Sequence, residues 1–128
     1  MTLKFGAFGV FADNMEVMVK FYREVIGLDL KWDGGAFTGV QLDNGMFFNI
    51  CERTLMDPDK KFSYIQGING MTQVTFGVDH PSEVDVEYAR VVAGGAVPVF
   101  PPKTEDYGLR TSFVSDPEGN LIEICAAV

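Results

Sequence analysis

The sequence has few of the residues from which catalytic and redox sites are usually built. It contains one histidine, His80, and two cysteines among 128 residues. It also lacks a glycine-rich phosphate loop, a Cys-x-x-Cys pair and a Gly-x-Ser-x-Gly nucleophile elbow. The cysteines of so acidic a chain are expected to be free thiols rather than a disulfide. Phosphate-loop, dithiol and serine-hydrolase chemistry are therefore not indicated.

Positive charge is also scarce. Ten Lys and Arg stand against eighteen Asp and Glu, which gives a net charge of −8. Nucleic acids and anionic membranes are bound through clustered Lys and Arg, so neither is an expected partner. No apolar run approaches the roughly 18 residues of a membrane span, and no basic segment leads into an apolar run at the N-terminus. The cytoplasm is the expected location.

What the chain does contain is material for a core. Hydrophobic residues make up 47% of the sequence and include eleven Phe. This length and composition predict a single domain, residues 1–128.

The first half predicts a strand, a helix and three further strands. Apolar residues recur at helical spacing after Asp13, which we expect to cap the helix together with Glu16, and Gly27 is expected to end it. Asp33-Gly-Gly and Asp43-Asn-Gly are typical hairpin turns. The predicted elements are a strand at 3–11, a helix at 14–26 and strands at 28–33, 36–42 and 46–52.

The second half repeats this order. Residues 54–70 have no sustained period and predict a connector, with room for a short helical turn. His80-Pro-Ser-Glu then opens a helix that Gly94-Gly95 ends. Strands are predicted at 71–79, 97–101, 109–115 and 121–126. The chain is therefore expected to hold two tandem βαβββ modules, at about 1–53 and 71–128, in an α+β fold.

Residues 116–125 carry the clearest pattern. Asp116 to Asn120 has turn chemistry, and Leu121 to Cys125 alternates as a strand around one ionised residue, Glu123. The strand Phe47-Phe-Asn-Ile-Cys51 corresponds to Leu121-Ile-Glu-Ile-Cys125, so that Asn49 matches Glu123. A carboxylate in the middle of a strand either faces water or has a function.

The paired modules, the helix end Phe21-Tyr-Arg-Glu-Val-Ile-Gly-Leu and Asp116-Pro-Glu-Gly-Asn-Leu-Ile-Glu-Ile together resemble the vicinal oxygen chelate superfamily. That group includes glyoxalase I, extradiol dioxygenases, fosfomycin-resistance enzymes and bleomycin-resistance proteins. The resemblance covers nearly the whole chain and implies a cup-shaped mixed sheet around the site. Because this fold hosts many chemistries, the resemblance is specific for fold and not for activity.

The resemblance also implies four ligand positions, which metal-binding members fill mostly with His and Glu. In this sequence they fall on Ala7, Asn49, Gln73 and Glu123. Ala7 offers no donor, and the amides of Asn49 and Gln73 are neutral oxygen donors. Zn²⁺, Fe²⁺ and Ni²⁺ sites usually need three or more imidazole, thiolate or carboxylate ligands. His80, at a helix start, is expected to cap. We therefore expect no catalytic metal and no cofactor.

Strand alternation gives the first and last strands of each module two unlike faces. One is bulky and apolar and is expected to pack under the helices; the other is small, polar and mixed, which is typical of a ligand pocket. A cleft without a ligand, filled by water or plugged by side chains, is the alternative. Arg110 is considered as an anion-binding residue, although solvated arginines are commoner on strands. Trp32 and Tyr107 are considered as residues of the rim. The expected ligand-binding residues are Ala7, Phe11, Phe47, Asn49, Gln73, Thr75, Arg110 and Glu123.

Two function classes remain open. The first is a metal-free protein that binds a small organic molecule, partly aromatic or cationic, as bleomycin-resistance proteins do. The second is an enzyme: a metal-dependent lyase or dioxygenase, or a metal-independent catalyst with Glu123 as its general base. A homodimer is expected in either case, because the family commonly covers its modules in this way and sheet edges need a partner.

Overall fold

The computed structural model describes residues 2–63 and 66–128. The chain divides into two compact units, Met1–Tyr64 and Ile65–Val128, each with its own sheet. The predicted mixed α+β architecture is confirmed. No helix in the described part of the chain has both the length and the apolar character that a bilayer crossing requires.

The N-terminal unit has a three-stranded sheet in the order β1-β3-β2. Its strands are β1 Ala7–Ala12, β2 Phe37–Gln41 and β3 Phe47–Glu52. Helix α1 spans Met15–Lys20 and continues as a π-helical segment, Phe21–Ile26, which ends at Gly27 with φ 98°. A four-residue helix, α2 Arg53–Met56, opens the predicted connector. Met18, Val19 and Tyr22 of the helical region are buried, and the Tyr22 ring lies 4.9 Å from that of Phe48 on β3.

Two predictions for this unit were wrong in detail. Asn14, rather than Asp13, caps α1: its Oδ1 accepts a 3.1 Å hydrogen bond from the Val17 N–H. Asp13 instead accepts a 2.8 Å bond from Arg53 Nε. The strand expected at 28–33 is not formed, because the Leu30 N–H donates to the Leu28 carbonyl at 2.8 Å in a three-residue turn that breaks an extended ladder.

The C-terminal unit has the complete predicted order. Its four-stranded sheet runs β4-β7-β6-β5, with β7 parallel to β4 and antiparallel to β6. Helix α3 begins after His80, which occupies the N-cap position and whose backbone N–H donates to Glu83 Oε1 at 3.1 Å. Val84 and Val91 of α3 are buried, as are Val114, Ile122 and Ile124 of the strands it contacts. The elements are β4 Asn69–Gly77, α3 Pro81–Ala93, β5 Val97–Thr104, β6 Leu109–Ser115 and β7 Asn120–Ala127.

The internal repeat is visible in the strand registers. In the N-terminal unit Gly9 pairs with Asn49, and in the C-terminal unit Thr75 pairs with Glu123. Both are parallel pairings between an edge strand and its neighbour, β1 with β3 in the first sheet and β4 with β7 in the second. The two registers agree with the predicted match of Asn49 to Glu123.

Candidate functional site

The candidate site is built around Glu123, in the middle of β7. Its side chain is buried, with 8% of the residue exposed. Oε1 accepts hydrogen bonds from Gln73 Nε2 at 3.0 Å and from the Thr75 hydroxyl at 2.8 Å. Oε2 accepts a 2.7 Å bond from the hydroxyl of Thr111, which is itself buried. The carboxylate is thus held by side chains from both neighbouring strands.

Strand alternation brings these partners together. Side chains two residues apart share a face of a sheet, so Gln73 and Thr75 of β4 stand beside Glu123 on one side. On the other side β6 pairs with β7 so that Phe113 is opposite Glu123 and Thr111 is opposite Cys125. Thr111 therefore reaches Glu123 diagonally across the ladder.

The turn between β6 and β7 fixes this register. Asp116 is buried, and its Oδ1 accepts hydrogen bonds from the backbone N–H groups of Glu118 and Asn120 at 2.9 and 3.0 Å. Gly119 has φ 91°, and a Cβ there would overlap the carbonyl of Gly67. A residue with positive φ whose Cα lies this close to another backbone has to be glycine. The Asp116 turn thus determines which β6 residue faces the carboxylate.

The protein's own hydrogen bonds use most, but not all, of the acceptor capacity of Glu123. A carboxylate has roughly four lone-pair sites, two on each oxygen. Gln73 and Thr75 use Oε1, and Thr111 uses one site on Oε2. Gln73 Nε2 also donates to Thr75 Oγ1 at 3.2 Å, so both of its N–H groups are engaged. No described residue donates to the amide oxygen of Gln73. One site on Oε2 and the Gln73 oxygen therefore remain as acceptors.

None of the groups that hold Glu123 carries positive charge. Arg110, an expected ligand-binding residue, is not brought to the site: it precedes Thr111 on β6 and so points to the opposite face. There its Nε and Nη2 donate to Asp85 of α3, at 2.7 Å each. Lys103 of β5 pairs in register with Thr111, and its ammonium lies 3.7 Å from Glu105. Within the described residues the carboxylate has no ion-pair partner.

Neighbouring side chains respond to this charge. Burial raises the pKa of the Cys125 thiol, and the Glu123 carboxylate raises it further. The pKa of Tyr107, in the β5–β6 turn, is raised by desolvation and then by the charges of Glu105 and Glu123, with smaller contributions from Asp106 and Cys125. Burial, with the charge of Glu52, also raises the pKa of the Cys51 thiol. Neither thiol is therefore a ready nucleophile.

Aromatic side chains line the same face of the C-terminal sheet. Phe113 stands directly opposite Glu123 on β6. Phe100 of β5 pairs in register with Phe113, and their rings meet edge to face with centroids 6.0 Å apart. Phe100 is 62% exposed. The carboxylate is thus bordered by an accessible aromatic surface.

Four of the sequence-predicted residues lie in the N-terminal unit, on one face of its sheet: Ala7, Phe11, Phe47 and Asn49. The Asn49 side chain lies over Gly9, where a Cβ would overlap Oδ1. The Phe47 ring lies over Gly39 and stacks with Phe37 at a centroid distance of 6.3 Å. This face is aromatic and neutral, in contrast to the Glu123 face.

The sequence reasoning identified Gln73, Thr75 and Glu123 but missed Thr111, Phe100 and Phe113. It followed only the first and last strands of each module. Counting back from the Asp116 turn would have found Phe113 and Thr111, because an antiparallel hairpin places 113 opposite 123 and 111 opposite 125. The same count shows that Arg110 faces the other way. Phe100 lies on β5, whose pairing with β6 is irregular on both sides of this residue.

The residues at the metal positions of the resembled superfamily do not fit a transition metal. Within the C-terminal unit Gln73 turns its N–H₂ group, not its oxygen, toward Glu123, and three of the carboxylate's lone-pair sites are taken. Within residues 2–63 and 66–128 no three His, Cys, Asp or Glu side chains lie close enough together to hold a metal ion. A single carboxylate among neutral donors is a poor ligand set for Zn²⁺ or Fe²⁺.

Comparison with solved structures supports the fold. The chain is similar to a glyoxalase-related enzyme from Fulvimarina pelagi, with a TM-score of 0.82 and 20% identity over 96% of this chain and 87% of that one. It is also similar to a glyoxalase/bleomycin resistance protein/dioxygenase family enzyme from Burkholderia phytofirmans PsJN, with a TM-score of 0.82 and 21% identity over 98% and 100% of the two chains. A lactoylglutathione lyase from Agrobacterium tumefaciens gives a TM-score of 0.71 and 22% identity over 94% and 91%.

At such identities the likeness concerns the fold alone. No curated protein sequence matches the chain. Comparison with protein-family models, however, matches residues 4–124, nearly the full length. The chain therefore belongs to the Glyoxalase/Bleomycin resistance protein/Dioxygenase superfamily.

Proposed function

We propose that this protein binds a small organic molecule on the Glu123 face of the C-terminal sheet, and that binding requires no catalytic metal. The observation that carries the proposal is the state of Glu123: a buried carboxylate, fixed by three neutral donors, with one acceptor site left on Oε2. A polar group fixed in this way beside an apolar surface is typical of small-molecule sites. The ligand supplies an N–H or O–H donor.

The enzymatic alternatives have less support. A metal-dependent lyase or dioxygenase needs a ligand set that Glu123, Gln73 and Thr75 do not provide. The lyase from Agrobacterium tumefaciens shares the fold at 22% identity, which does not extend to its reaction. A general base needs a lone pair directed at the substrate proton. Three of the four sites on Glu123 are already engaged, so the carboxylate is better suited to holding a donor than to removing its proton.

The proposal is tested by fragment screening with ¹⁵N-labelled protein. A library of uncharged, cationic and anionic fragments is added, and the backbone signals of Glu123 and Thr111 are followed together with the side-chain N–H₂ signal of Gln73. We expect some fragments to shift all three in a saturable way. Glu123→Gln should weaken those fragments, whereas Glu87→Gln on α3 should not, because α3 contacts the other face. A library that leaves the three signals unmoved would contradict the proposal.

Two wider expectations accompany it. We propose a cytoplasmic location, which the free state of Cys51 and Cys125 supports, since thiols persist in reducing compartments. We also propose a homodimer. Large apolar side chains of the N-terminal unit are exposed, among them Leu3, Phe5 and Phe62, and apolar surface of this kind favours an interface. Light scattering that gives 28 kDa rather than 14.1 kDa at micromolar concentration would support the dimer, 28 kDa being roughly twice the chain mass.

A further inference from the structure

We infer that the ligand of the Glu123 face is an organic cation, and that Phe113, supported by Phe100, selects it. The inference rests on the proposed function and adds a ligand class to it. Three features of the C-terminal unit support it: the uncompensated charge of Glu123, the aromatic surface beside it, and the acceptors that the hydrogen bonds of the protein do not use.

The charge comes first. A buried carboxylate normally has a cation as its partner, because neutral hydrogen bonds leave the negative charge in place. Here the three partners are two hydroxyls and an amide. Arg110 is committed to Asp85 on the opposite face, and Lys103 lies beside Glu105. A positively charged ligand would provide the missing counter-charge, whereas an anion would be repelled.

The aromatic surface is the second feature. Cβ atoms of directly opposed residues in an antiparallel pair are about 4.5–5.5 Å apart, so Phe113 and Glu123 are neighbours on this face. A cation over an aromatic face within about 6 Å of its centroid is attracted by the ring quadrupole. Phe100 meets Phe113 edge to face and keeps its own ring accessible. A group bound at Oε2 therefore lies next to a ring that favours positive charge.

The free acceptors are the third feature. The remaining lone pair on Glu123 Oε2 and the amide oxygen of Gln73 both accept hydrogen bonds and cannot donate them. A protonated amine carries several N–H donors and no acceptor, which matches this pair. A carboxylate or phosphate ligand would find no unengaged donor on Gln73, Thr75 or Thr111.

Three probes of similar size test the inference: benzylammonium, benzyl alcohol and benzoate, titrated by the same NMR signals at neutral pH. Benzylammonium is expected to bind roughly tenfold tighter than benzyl alcohol, as a charge-assisted hydrogen bond does relative to a neutral one, and benzoate weakest. Glu123→Gln should abolish the difference between benzylammonium and benzyl alcohol. Phe113→Leu should weaken benzylammonium about two- to fivefold and affect benzyl alcohol less.

The outcomes separate the inference from the proposed function. Equal binding of benzylammonium and benzyl alcohol at the Glu123 face, or tighter binding of benzoate, would overturn the cation inference while leaving small-molecule binding intact. If Phe113→Leu leaves the preference for benzylammonium over benzyl alcohol unchanged, Phe113 does not select the cation. If neither these probes nor any library fragment moved the Glu123 and Thr111 signals, both would fail. Glu87→Gln serves as the matched loss of one negative charge, and an unchanged spectrum away from the site verifies that each variant is folded.

Discussion

The hydroxyl of Thr111 donates a 2.7 Å hydrogen bond to Glu123 Oε2 from the neighbouring strand, and both side chains are buried. Thr75 makes a bond of similar length to Oε1, but Thr75 is exposed. The two threonines thus serve the same carboxylate in different surroundings. Water can replace the hydroxyl of Thr75 more readily than that of Thr111, because Thr75 is exposed and Thr111 is buried.

Thr111→Val should therefore destabilise the protein more than Thr75→Val. A buried hydrogen bond to a charged group contributes about 1.5–3 kcal/mol, and Thr111→Val removes it. Replacement of the exposed Thr75 should cost about 1 kcal/mol or less. Urea denaturation of the two variants and the wild type measures the difference. Equal free energies of unfolding for both variants would contradict the assignment of Thr111 as the buried partner.

Cys125 gives a second test of the charge on Glu123. Burial is the larger cause of its raised pKa and the Glu123 carboxylate the next. Glu123→Gln removes only the second cause, so the pKa of Cys125 should fall part of the way toward its ordinary value. Iodoacetamide alkylation followed by peptide mass spectrometry across pH 7.5–10 should show a shift to lower pH at Cys125. Cys51, whose pKa is raised by burial and by Glu52, is the internal control and should not shift.

The ion pair between Arg110 and Asp85, on the face of the sheet opposite Glu123, predicts that the stability of the protein depends on pH. Hydrogen bonds from Arg110 lower the pKa of Asp85 below the 3.8 of an ordinary aspartate. A carboxylate whose pKa is lowered by folding stabilises the folded state above its unfolded pKa and loses that contribution as pH falls through the folded value. Asp85→Asn should therefore reduce stability slightly at pH 7 and flatten its decline in acid below pH 3.8. Urea denaturation at pH 7 and pH 3 measures both effects. An unchanged acid decline in the variant would show that the pair contributes nothing.

The absence of a transition-metal site remains a prediction, and substitution offers a sharp test. Titration with Zn²⁺ and Ni²⁺ should give no tight stoichiometric binding to the wild type. Gln73→His with Thr75→His replaces two neighbours of Glu123 with imidazoles and creates a two-His, one-carboxylate set. That variant should bind either metal measurably tighter, and adding Glu123→Gln should reverse the gain. Tight metal binding by the wild type that is lost with Glu123→Gln alone would revive the metal-dependent alternative.

Much of this molecule follows from sequence patterns, and the failures have physical causes. The α3 helix and the strands of the second module have long, regular periods bounded by His80, Gly94 and the Asp116 turn. The segment 28–33 has the apolar content of a strand, but the local turn at Leu30 overrides it. The face on which Arg110 lies depends on hairpin register, and the role of Thr111 depends on burial. Neither is visible in the composition of a single strand.

Gly9 marks a difference between the two modules. Its counterpart in register is Thr75, a donor to Glu123, whereas a side chain at Gly9 would overlap Asn49. Ala7, the other neighbour on β1, likewise has no donor. An acidic residue at position 49 would therefore lack the two donors from the edge strand that position 123 receives. A negative charge is thus supported by hydrogen bonds in the second module, whereas the matching position of the first module is neutral.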